Sequence, residues 1–390
     1  MIATGILMKV LHVYRTYFPD TQGGLEEVIR QICRNTKCHD VESRVFTLSP
    51  QPGQSVVSRK EADVYRFNRT FEIASCSVSI NALSGFKQLV EWADIVHYHF
   101  PWPFADLLHL LGQVKKPSIV TYHSDIVRQK GWLTLYRPLK QYFLTHVDCI
   151  VSTSPNYFAT SDVLGTFSEK VEIIPIGLDD ASYPVVDTEQ LESVRAHCGE
   201  GFFLFIGVLR YYKGLRILLE AIKNTALRVV IVGSGPIENE LRQQASELGL
   251  ENVQFLGYVS DEEKVALIQL SRAIVFPSYL RSEAFGVTLL EGAMFGKPLI
   301  SAEIGTGTSY VNSDKETGFV VPPSDSRRLR EAMEKLDQDE KLAKRMGQAA
   351  RERYEKLFTG KRMGEQYAQL YKKLLAEAVY AKSEAQSKII

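Results

Sequence analysis

The chain has 390 residues, of which 45% are hydrophobic and 24% charged, and its formal net charge at pH 7 is zero. This length favours two domains, and the neutral balance argues against a nucleic-acid partner. The five cysteines are scattered and predict neither a disulfide framework nor a metal cluster. The sequence lacks an apolar run of the roughly 20 residues that span a bilayer, and its first residues lack the basic start of a signal peptide. We therefore expect a cytoplasmic protein.

The first half alternates strands with helices, which predicts a doubly wound parallel sheet. Its predicted elements are strand 10–13, helix 24–34, strands 43–47 and 64–67, helix 82–92, and strands 95–99, 118–122, 149–152 and 170–175.

A polar connector, predicted at 176–201, leads into a second alternating half. Its predicted elements are strand 202–207, helix 213–223, strand 228–232, helix 237–248, strand 253–256, helix 261–270, strands 273–277, 298–301 and 318–321, and a last helix at 359–375. We expect an N-terminal domain at 1–185, a C-terminal domain at 186–360, and a helix and tail at 361–390.

Two glutamates with seven residues between them follow the apolar strand 273–277. Glu283 is predicted to lie in the turn after the strand and Glu291 about two turns along the next helix. Open α/β sheets bind phosphorylated ligands at such strand ends. One carboxylate beside the phosphates and one deeper on the helix suit the sugar hydroxyls and ribose diol of a nucleotide sugar. Unpaired N–H groups at the helix start would point at an anion, and they belong to Phe285, Gly286, Val287 and Thr288.

The string from Ser282 to Ala293 resembles the Glu-x7-Glu motif of family-4 retaining glycosyltransferases. The resemblance covers about 9–375 and implies the GT-B fold, an α/β architecture of two doubly wound Rossmann-like domains facing a central cleft. It also implies that the last helix crosses back to the N-terminal domain. By this resemblance the N-terminal domain binds the acceptor and the C-terminal domain the nucleotide sugar.

A cationic loop follows strand 202–207. Lys213 and Gly214 match the family's Lys-Gly, whereas Val208 stands where the family has arginine. Arg210, on the same face of an extended segment, is the expected substitute. These cations would stabilise the charge that develops on a diphosphate leaving group. Lys213, Arg210 and Glu283 are therefore predicted catalytic residues.

Glycines and aromatic residues at other strand ends complete the predicted donor site. Gly23 and Gly24 precede a helix, where their backbone can approach a ligand closely. The resemblance places a contact with the donor phosphate or with the acceptor there, and we assign Gly23 and Gly24 to the donor. By the same analogy, Gly233, Tyr258 and Val259 contact the donor. The loop Gly305–Asn312 is similar in sequence to the corresponding loop of bacterial mannosyl- and rhamnosyltransferases that use GDP-sugars.

Histidines follow two strands of the first half. The resemblance makes His123 the active-site histidine that meets the donor sugar, and Asp125 a candidate acceptor-binding residue. His97 and His99 share one strand face, but no third ligand stands at metal spacing. We therefore interpret His99 and Trp102 as an aromatic wall for the acceptor and predict no metal site.

The segment 115–140 is basic and rich in aromatic residues. It suits an anionic membrane surface, or equally an ordinary helix with snorkelling side chains. The resemblance favours the membrane, because relatives act on lipid-linked sugars. The residues are Lys115, Lys116, Arg128, Lys130, Arg137 and Lys140, with Trp132, Leu133, Leu135, Tyr136, Tyr142 and Phe143 between them.

The resemblance implies a hexosyltransferase that moves mannose from GDP-mannose to the 3-hydroxyl of an undecaprenyl-diphosphate-linked saccharide. This would be a step of lipopolysaccharide O-antigen synthesis, without metal or cofactor, on the cytoplasmic face of the inner membrane. A GDP-rhamnose-dependent rhamnosyltransferase is the alternative. A GT-B sugar-nucleotide epimerase and a non-catalytic nucleotide-binding protein also remain open.

Overall fold

The computed structural model describes residues 7–73, 76–126 and 130–387. The chain forms two compact units. Unit 1 consists of the described residues up to Thr153, Ser161–Gly177, and the described residues from Gly360. Unit 2 consists of Ser154–Thr160 and Leu178–Thr359. The main boundary between the units thus lies after Gly177, whereas the predicted boundary lies after residue 185.

Unit 1 is built on an eight-stranded sheet of the described residues, in the order β10-β9-β8-β7-β1-β2-β4-β3, with β5 and β6 as a separate antiparallel pair. All neighbours in the large sheet are parallel except β3 and β4. The strands are β1 (Met8–Val13), β2 (Val41–Ser49), β3 (Val56–Ser58), β4 (Asp63–Asn68), β5 (Phe71–Ile73), β6 (Cys76–Val78), β7 (Ile95–Phe100), β8 (Ser118–Tyr122), β9 (Cys149–Ser152) and β10 (Val171–Ile173).

Unit 2 is built on a parallel sheet whose six described strands run in the order β13-β12-β11-β14-β15-β16. These strands are short, apolar and mostly buried, because helices cover both faces of a parallel sheet. They are β11 (Phe203–Ile206), β12 (Val229–Val232), β13 (Val253–Gly257), β14 (Ala273–Phe276), β15 (Leu299–Ala302) and β16 (Gly318–Val321).

The helices alternate with the strands in both units. In chain order they are α1 (Gly24–Thr36), α2 (Ala82–Trp92), α3 (Pro103–Gly112), α4 (Lys130–His146), α5 (Pro155–Thr160), α6 (Asp162–Thr166), α7 (Thr188–Cys198), α8 (Leu215–Ile222), α9 (Glu238–Glu247), α10 (Asp261–Leu270), α11 (Val287–Met294), α12 (Thr308–Val311), α13 (Ser326–Gln338), α14 (Glu340–Leu357) and α15 (Gly360–Ser387). Among the described helices, none has the length and apolar character that a bilayer crossing demands.

Helix α15 belongs to unit 1, as the predicted return of the last helix requires, and it is longer than the predicted 359–375. It packs against α1 so closely that a Cβ on Gly364 would lie 2.3 Å from the backbone oxygen of Asn35. Glycine at this position therefore permits the contact. Tyr367 and Tyr371 of α15 are buried against the sheet of unit 1.

The predicted polar connector is wrong over α7. This helix carries few apolar residues and buries only Cys198, so its sequence lacks helical periodicity. It begins with a capping box, in which Asp187 and Gln190 each accept from the other's backbone N–H. That local signal was present in the sequence. Strands β3, β5 and β6 were also missed, because three residues are too few to show alternation.

Candidate active site

In unit 2, the predicted catalytic residues lie on loops that follow two neighbouring strands. Arg210 and Lys213 follow β11, and Glu283 follows β14. Since β11 and β14 pair in parallel, their carboxyl ends meet at one edge of the sheet. Such an edge is the usual ligand site of an open α/β sheet.

Lys213 and Glu283 form an ion pair between Nζ and Oε2, although 70 positions separate them in the sequence. Their side chains are only 13% and 12% exposed. The Lys213 ammonium also lies 4.7 Å from the ring centroid of Phe276, and the Ser278 hydroxyl lies 3.5 Å from Glu283 Oε2. Cation and carboxylate are therefore fixed side by side. An ammonium has three donors, so Lys213 can bind an anion while it holds Glu283.

The turn from β14 into α11 presents a helix N-terminus beside this pair. Gly286 caps the helix with φ 89°, a left-handed conformation that favours glycine. The N–H groups of Val287 and Thr288 fall in the first turn, where no acceptor exists within the helix. The Thr288 hydroxyl donates to the carbonyl of Ile206 at 3.1 Å, which ties this turn to β11. Phe285 is buried beneath the turn.

Glu291 is buried on α11 and has two partners from elements that the sequence analysis did not connect with it. Glu291 Oε1 accepts from the Tyr183 hydroxyl at 3.0 Å and from Lys264 Nζ at 3.1 Å. Burial alone would lower the pKa of Lys264, but the carboxylates of Glu291 and Asp261 raise it above its usual value. Both contacts use Oε1, and among the described residues none is recorded on Oε2. That oxygen can therefore accept a ligand hydroxyl while the ion pair holds the side chain in place.

The other predicted donor contacts of unit 2 are accessible or conformationally special. The Arg210 side chain is exposed, and its guanidinium forms no ion pair or hydrogen bond within the described ranges. Gly233 has φ 116°, and a Cβ there would lie 2.1 Å from the Gly207 carbonyl oxygen. Tyr258 is 75% exposed, and Val259 is half-buried.

In unit 1, Gly23 caps α1 and Gly24 is its first residue. The start of this helix already holds a carboxylate. Glu26 accepts from the hydroxyls of Thr16 and Thr21, both at 2.8 Å, and a Cβ on Gly23 would lie 2.6 Å from Glu26 Oε2. A phosphate at this terminus would meet the negative charge of Glu26, so its geometry favours a neutral hydroxyl over an anion.

His123 lies at the end of β8 and is 5% exposed. Its backbone N–H donates to the Phe100 carbonyl at 3.0 Å, and its Nε2 lies 3.1 Å from His99 Nδ1. Burial lowers the pKa of His123 to about 3, so the ring is neutral near pH 7. It can serve as a hydrogen-bond donor or acceptor but carries no charge.

His12 lies beside His97 and His99, although the sequence shows no third ligand at metal spacing. His12 of β1 pairs in register with His97 of β7, and ligand atoms of His12, His97 and His99 lie within 4.8 Å of one another. His97 already bonds Tyr371 through Nδ1 at 2.8 Å and Thr121 through Nε2 at 2.7 Å. A metal ligand role for His97 would sacrifice one of these bonds. The sequence distance of 85 residues between His12 and His97 explains why no spacing rule found the third ring.

His99 and Trp102 are each 1% exposed. The Trp102 indole N–H donates to the Ser77 carbonyl at 3.0 Å, and its ring packs beside Phe46 and Phe104. Neither side chain has surface that a sugar could touch in this conformation. This burial argues against the acceptor wall that the sequence suggested.

Asp125 is half-buried just after β8. Its Oδ1 accepts from the Tyr122 hydroxyl at 2.9 Å and from the Ser161 hydroxyl at 3.2 Å. These contacts orient the carboxylate. An acceptor contact for it stays a prediction.

The basic aromatic segment is only partly described. Arg128 lies outside the described residues, and the side chains of Lys130, Trp132 and Leu133 are not described. Further along α4, Leu135 is 75% and Tyr142 38% exposed. The Tyr136 hydroxyl donates to the buried carboxyl of Asp106, and Phe143 is buried.

Comparison with known proteins gives matches along most of the chain. Residues 22–182 match the family described as "Glycosyltransferase Family 4", and residues 187–353 match "Glycosyl transferases group 1". The chain is 54% identical to the D-rhamnosyltransferase WbpZ of Pseudomonas aeruginosa, covering 90% of this chain and 92% of that protein. It is 49% identical to the O-antigen chain mannosyltransferase C of Escherichia coli, covering 90% and 95%.

Solved structures match at low identity. Sucrose-phosphate synthase from Thermosynechococcus elongatus matches with a TM-score of 0.77 at 21% identity, over 95% of this chain and 100% of that one. WaaG, a glycosyltransferase involved in lipopolysaccharide biosynthesis, matches with a TM-score of 0.66 at 17% identity, over 93% and 99%. At these identities the likeness concerns the fold alone, and it confirms the predicted GT-B architecture.

Proposed function

The chain belongs to the family-4 glycosyltransferases, and from this premise we propose that it transfers mannose from GDP-mannose to an undecaprenyl-diphosphate-linked saccharide. The proposed product is an α-linkage to a 3-hydroxyl, formed with retention of configuration during lipopolysaccharide O-antigen synthesis. The names of the two bacterial relatives, a rhamnosyltransferase and a mannosyltransferase, support the sugar class, and the name of the second supports the O-antigen role.

The observation that carries the proposal is the pair of Lys213 and Glu283 beside the open N-terminus of α11. A nucleotide sugar presents phosphate oxygens next to sugar hydroxyls. Lys213 and the N–H groups of Val287 and Thr288 suit the former, and Glu283 suits the latter. Because the pair is already formed, little reorganisation would accompany binding.

In the proposed reaction the bond between the anomeric carbon and the phosphate oxygen breaks, and the diphosphate gains charge. Lys213, with the exposed guanidinium of Arg210, would stabilise that charge. The acceptor hydroxyl would attack from the face that the phosphate leaves, and the phosphate oxygen would take its proton. Glu291, through its Oε2, would accept from the ribose diol.

The identity of the sugar has a second candidate, because the relative at 54% identity is named a rhamnosyltransferase. D-Rhamnose is mannose without its 6-hydroxyl, so both donors would present the same ring configuration to Glu283. A buried group that bonds the 6-hydroxyl would discriminate strongly, whereas an apolar pocket would discriminate little.

A donor screen tests the proposal. Purified protein is mixed with GDP-mannose, GDP-rhamnose, UDP-glucose, UDP-GlcNAc or ADP-glucose, and the melting temperature is measured. Transfer to a synthetic lipid-linked acceptor is then assayed. A GDP-sugar should raise the melting temperature most, because the ligand binds the native state. A preference for UDP-glucose would contradict the guanine assignment. GDP binding without transfer would favour a non-catalytic nucleotide-binding protein, and inversion at C2 of UDP-GlcNAc without acceptor would favour an epimerase.

Peripheral membrane association is part of the proposal. Helix α3 packs against β6 and α4 in unit 1, and these elements and their neighbours carry exposed apolar side chains. Ile80 is 70%, Leu135 75% and Leu111 48% exposed. Apolar side chains beside Lys and Arg residues are what an interfacial binding surface requires.

Vesicle flotation tests this surface. We expect the protein to float with vesicles containing phosphatidylglycerol and the double variant Ile80→Ser, Leu135→Ser to stay in solution. Val185→Ser in unit 2 is the matched control, since Val185 is 95% exposed but lies outside α3, α4 and β6. Equal flotation of the double variant and the control would contradict this membrane surface.

A further inference from the structure

Four histidine rings pack together inside the described part of unit 1, and among them the family resemblance gives a role at the donor sugar only to His123. His12, His97, His99 and His123 are each at most 5% exposed. Their rings stack, with centroids 4.3 Å apart for His97 and His99 and 5.4 Å apart for His99 and His123. Such a cluster of neutral polar rings is costly to bury unless its nitrogens are paired.

Three of the rings form a continuous hydrogen-bonded chain. His12 Nδ1 lies 3.1 Å from His99 Nε2, and His99 Nδ1 lies 3.1 Å from His123 Nε2. A neutral imidazole has one N–H and one bare nitrogen. Since both nitrogens of His99 are used, the proton position on one ring dictates the position on the next. The chain therefore has two self-consistent proton arrangements.

Burial keeps these rings neutral. It lowers the pKa of His12 and of His123 to about 3, and it lowers the pKa of His99 well below its usual value, as do the neighbouring histidines. Each of these three rings therefore carries one proton, on one of its two nitrogens.

The far end of the chain distinguishes the two arrangements. His12 Nε2 is buried and has no hydrogen-bond partner among the described protein groups. If His12 carried its proton there, a buried N–H would lack a protein acceptor, which is rare in folded proteins. If the proton is on Nδ1 instead, His12 donates to His99 Nε2, and only a lone pair is left unpaired. His99 must then donate from Nδ1 to His123 Nε2.

We propose that His12, acting through His99, holds His123 in the tautomer that carries its proton on Nδ1. This inference rests on the proposed function and on the resemblance by which His123 meets the donor sugar, because in this tautomer the Nδ1–H of His123 would donate to an oxygen of that sugar. His12 and His99 are positioning residues in this scheme. His97 is outside the chain, because its nitrogens bond Tyr371 and Thr121.

Histidine nitrogens of the full chain, labelled with ¹⁵N, report the tautomer directly in long-range proton–nitrogen correlation spectra. The signals of His123 are assigned by their loss in His123→Gln. We expect wild-type protein to show a protonated Nδ1 and a bare Nε2 on His123. We expect His12→Phe, which keeps an aromatic ring but removes both nitrogens, to give a mixture of tautomers.

His97→Phe is the matched control. It removes a ring of the same cluster together with its hydrogen bonds to the hydroxyls of Tyr371 and Thr121, so it perturbs packing at least as much. It should leave the His123 tautomer unchanged. In transfer assays, His12→Phe should lower kcat about tenfold while KM for the donor changes less than about twofold, as loss of an oriented donor predicts.

A wild-type His123 protonated on Nε2 would overturn the inference, even if His12→Phe failed to fold. So would equal effects of His12→Phe and His97→Phe on the tautomer, or loss of the bare-nitrogen signals of His12 and His99 on addition of equimolar Zn²⁺. The Nδ1–H tautomer without any glycosyl transfer would refute the proposed function and leave the inference intact. Transfer with the opposite tautomer would do the reverse.

Discussion

The candidate donor site of unit 2 and the histidine cluster of unit 1 differ in the polar side chains that they bury. The donor site of unit 2 has buried charges in pairs, Lys213 with Glu283 and Lys264 with Glu291. The cluster of unit 1 has neutral histidines, tyrosines and threonines that hydrogen-bond one another, such as the bonded series Tyr371, His97, Thr121 and Tyr367. The contrast matches the two chemistries that the proposed reaction needs. A departing diphosphate requires fixed charge, whereas uncharged hydroxyls require directed donors and acceptors.

The difference also concerns strength. Charge pairs at low exposure interact strongly, but removal of one member leaves the other as an unpaired buried charge, which destabilises the protein. Removal of one hydrogen bond between neutral groups costs less free energy of unfolding, and salt hardly changes that cost. The effects of substitutions in the two units should therefore differ in magnitude and in salt dependence.

The largest effect is expected at the ion pair of the candidate donor site. Glu283→Ala and Lys213→Ala should each lower kcat/KM about 100- to 1000-fold, because each removes a charge that stabilises the transition state. Steady-state transfer assays measure this. Lys315→Ala is the control, since Lys315 is 81% exposed. Turnover of Glu283→Ala near that of Lys315→Ala would remove the assigned role.

The second effect is on stability. Glu291→Gln should lower the free energy of unfolding by about 2–4 kcal/mol, because the ammonium of Lys264 loses a buried partner. Lys264→Met in the same chain should restore part of this loss, because it removes a buried ammonium that would keep only the exposed carboxylate of Asp261 as its partner. Urea unfolding of the two single variants and the double variant measures the coupling. Additive losses would show that the pair is not energetically linked.

How far the sequence could predict these contacts depends on the distance along the chain. Apolar strands precede Glu283, Lys213 and the start of α11, and the end of such a strand can be predicted from the neighbouring residues alone. The partners Tyr183 and Lys264 of Glu291 could not be read, because their contact depends on how α10 and the segment after residue 177 pack against α11. His12 was missed for the same reason. The burial of Trp102 could not be predicted, because a Trp after a strand can point inward or outward with equal sequence support.

A smaller effect is expected from the neutral network of unit 1. Thr121→Val removes the hydroxyl that bonds both His97 and Tyr367, and it should destabilise the protein by about 1–3 kcal/mol. This loss should be the same in low and high salt, since no charge is involved. Urea titrations at two salt concentrations test it. A strong salt dependence would contradict the contrast between the charged pairs of unit 2 and this neutral network of unit 1.

The smallest effect is expected at Arg210. Arg210→Ala should lower kcat/KM about tenfold, because an exposed guanidinium stabilises charge less than a buried one. Val208, 46% exposed, occupies the position where the family carries arginine. Val208→Arg should therefore recover activity in the Arg210→Ala background, as transfer assays would reveal. Unchanged activity of Arg210→Ala would show that Lys213 and the N-terminus of α11 stabilise the diphosphate charge without Arg210.

Helix α15 lends unit 1 a particular order of assembly. The partner of His97 on this helix, Tyr371, is 274 positions further along the chain. During synthesis, the ribosome must therefore complete all of unit 2 before the histidine-bearing sheet receives its cover. We expect nascent chains stalled ahead of α15 to expose that sheet to chaperones and proteases, and to become resistant only once the helix emerges.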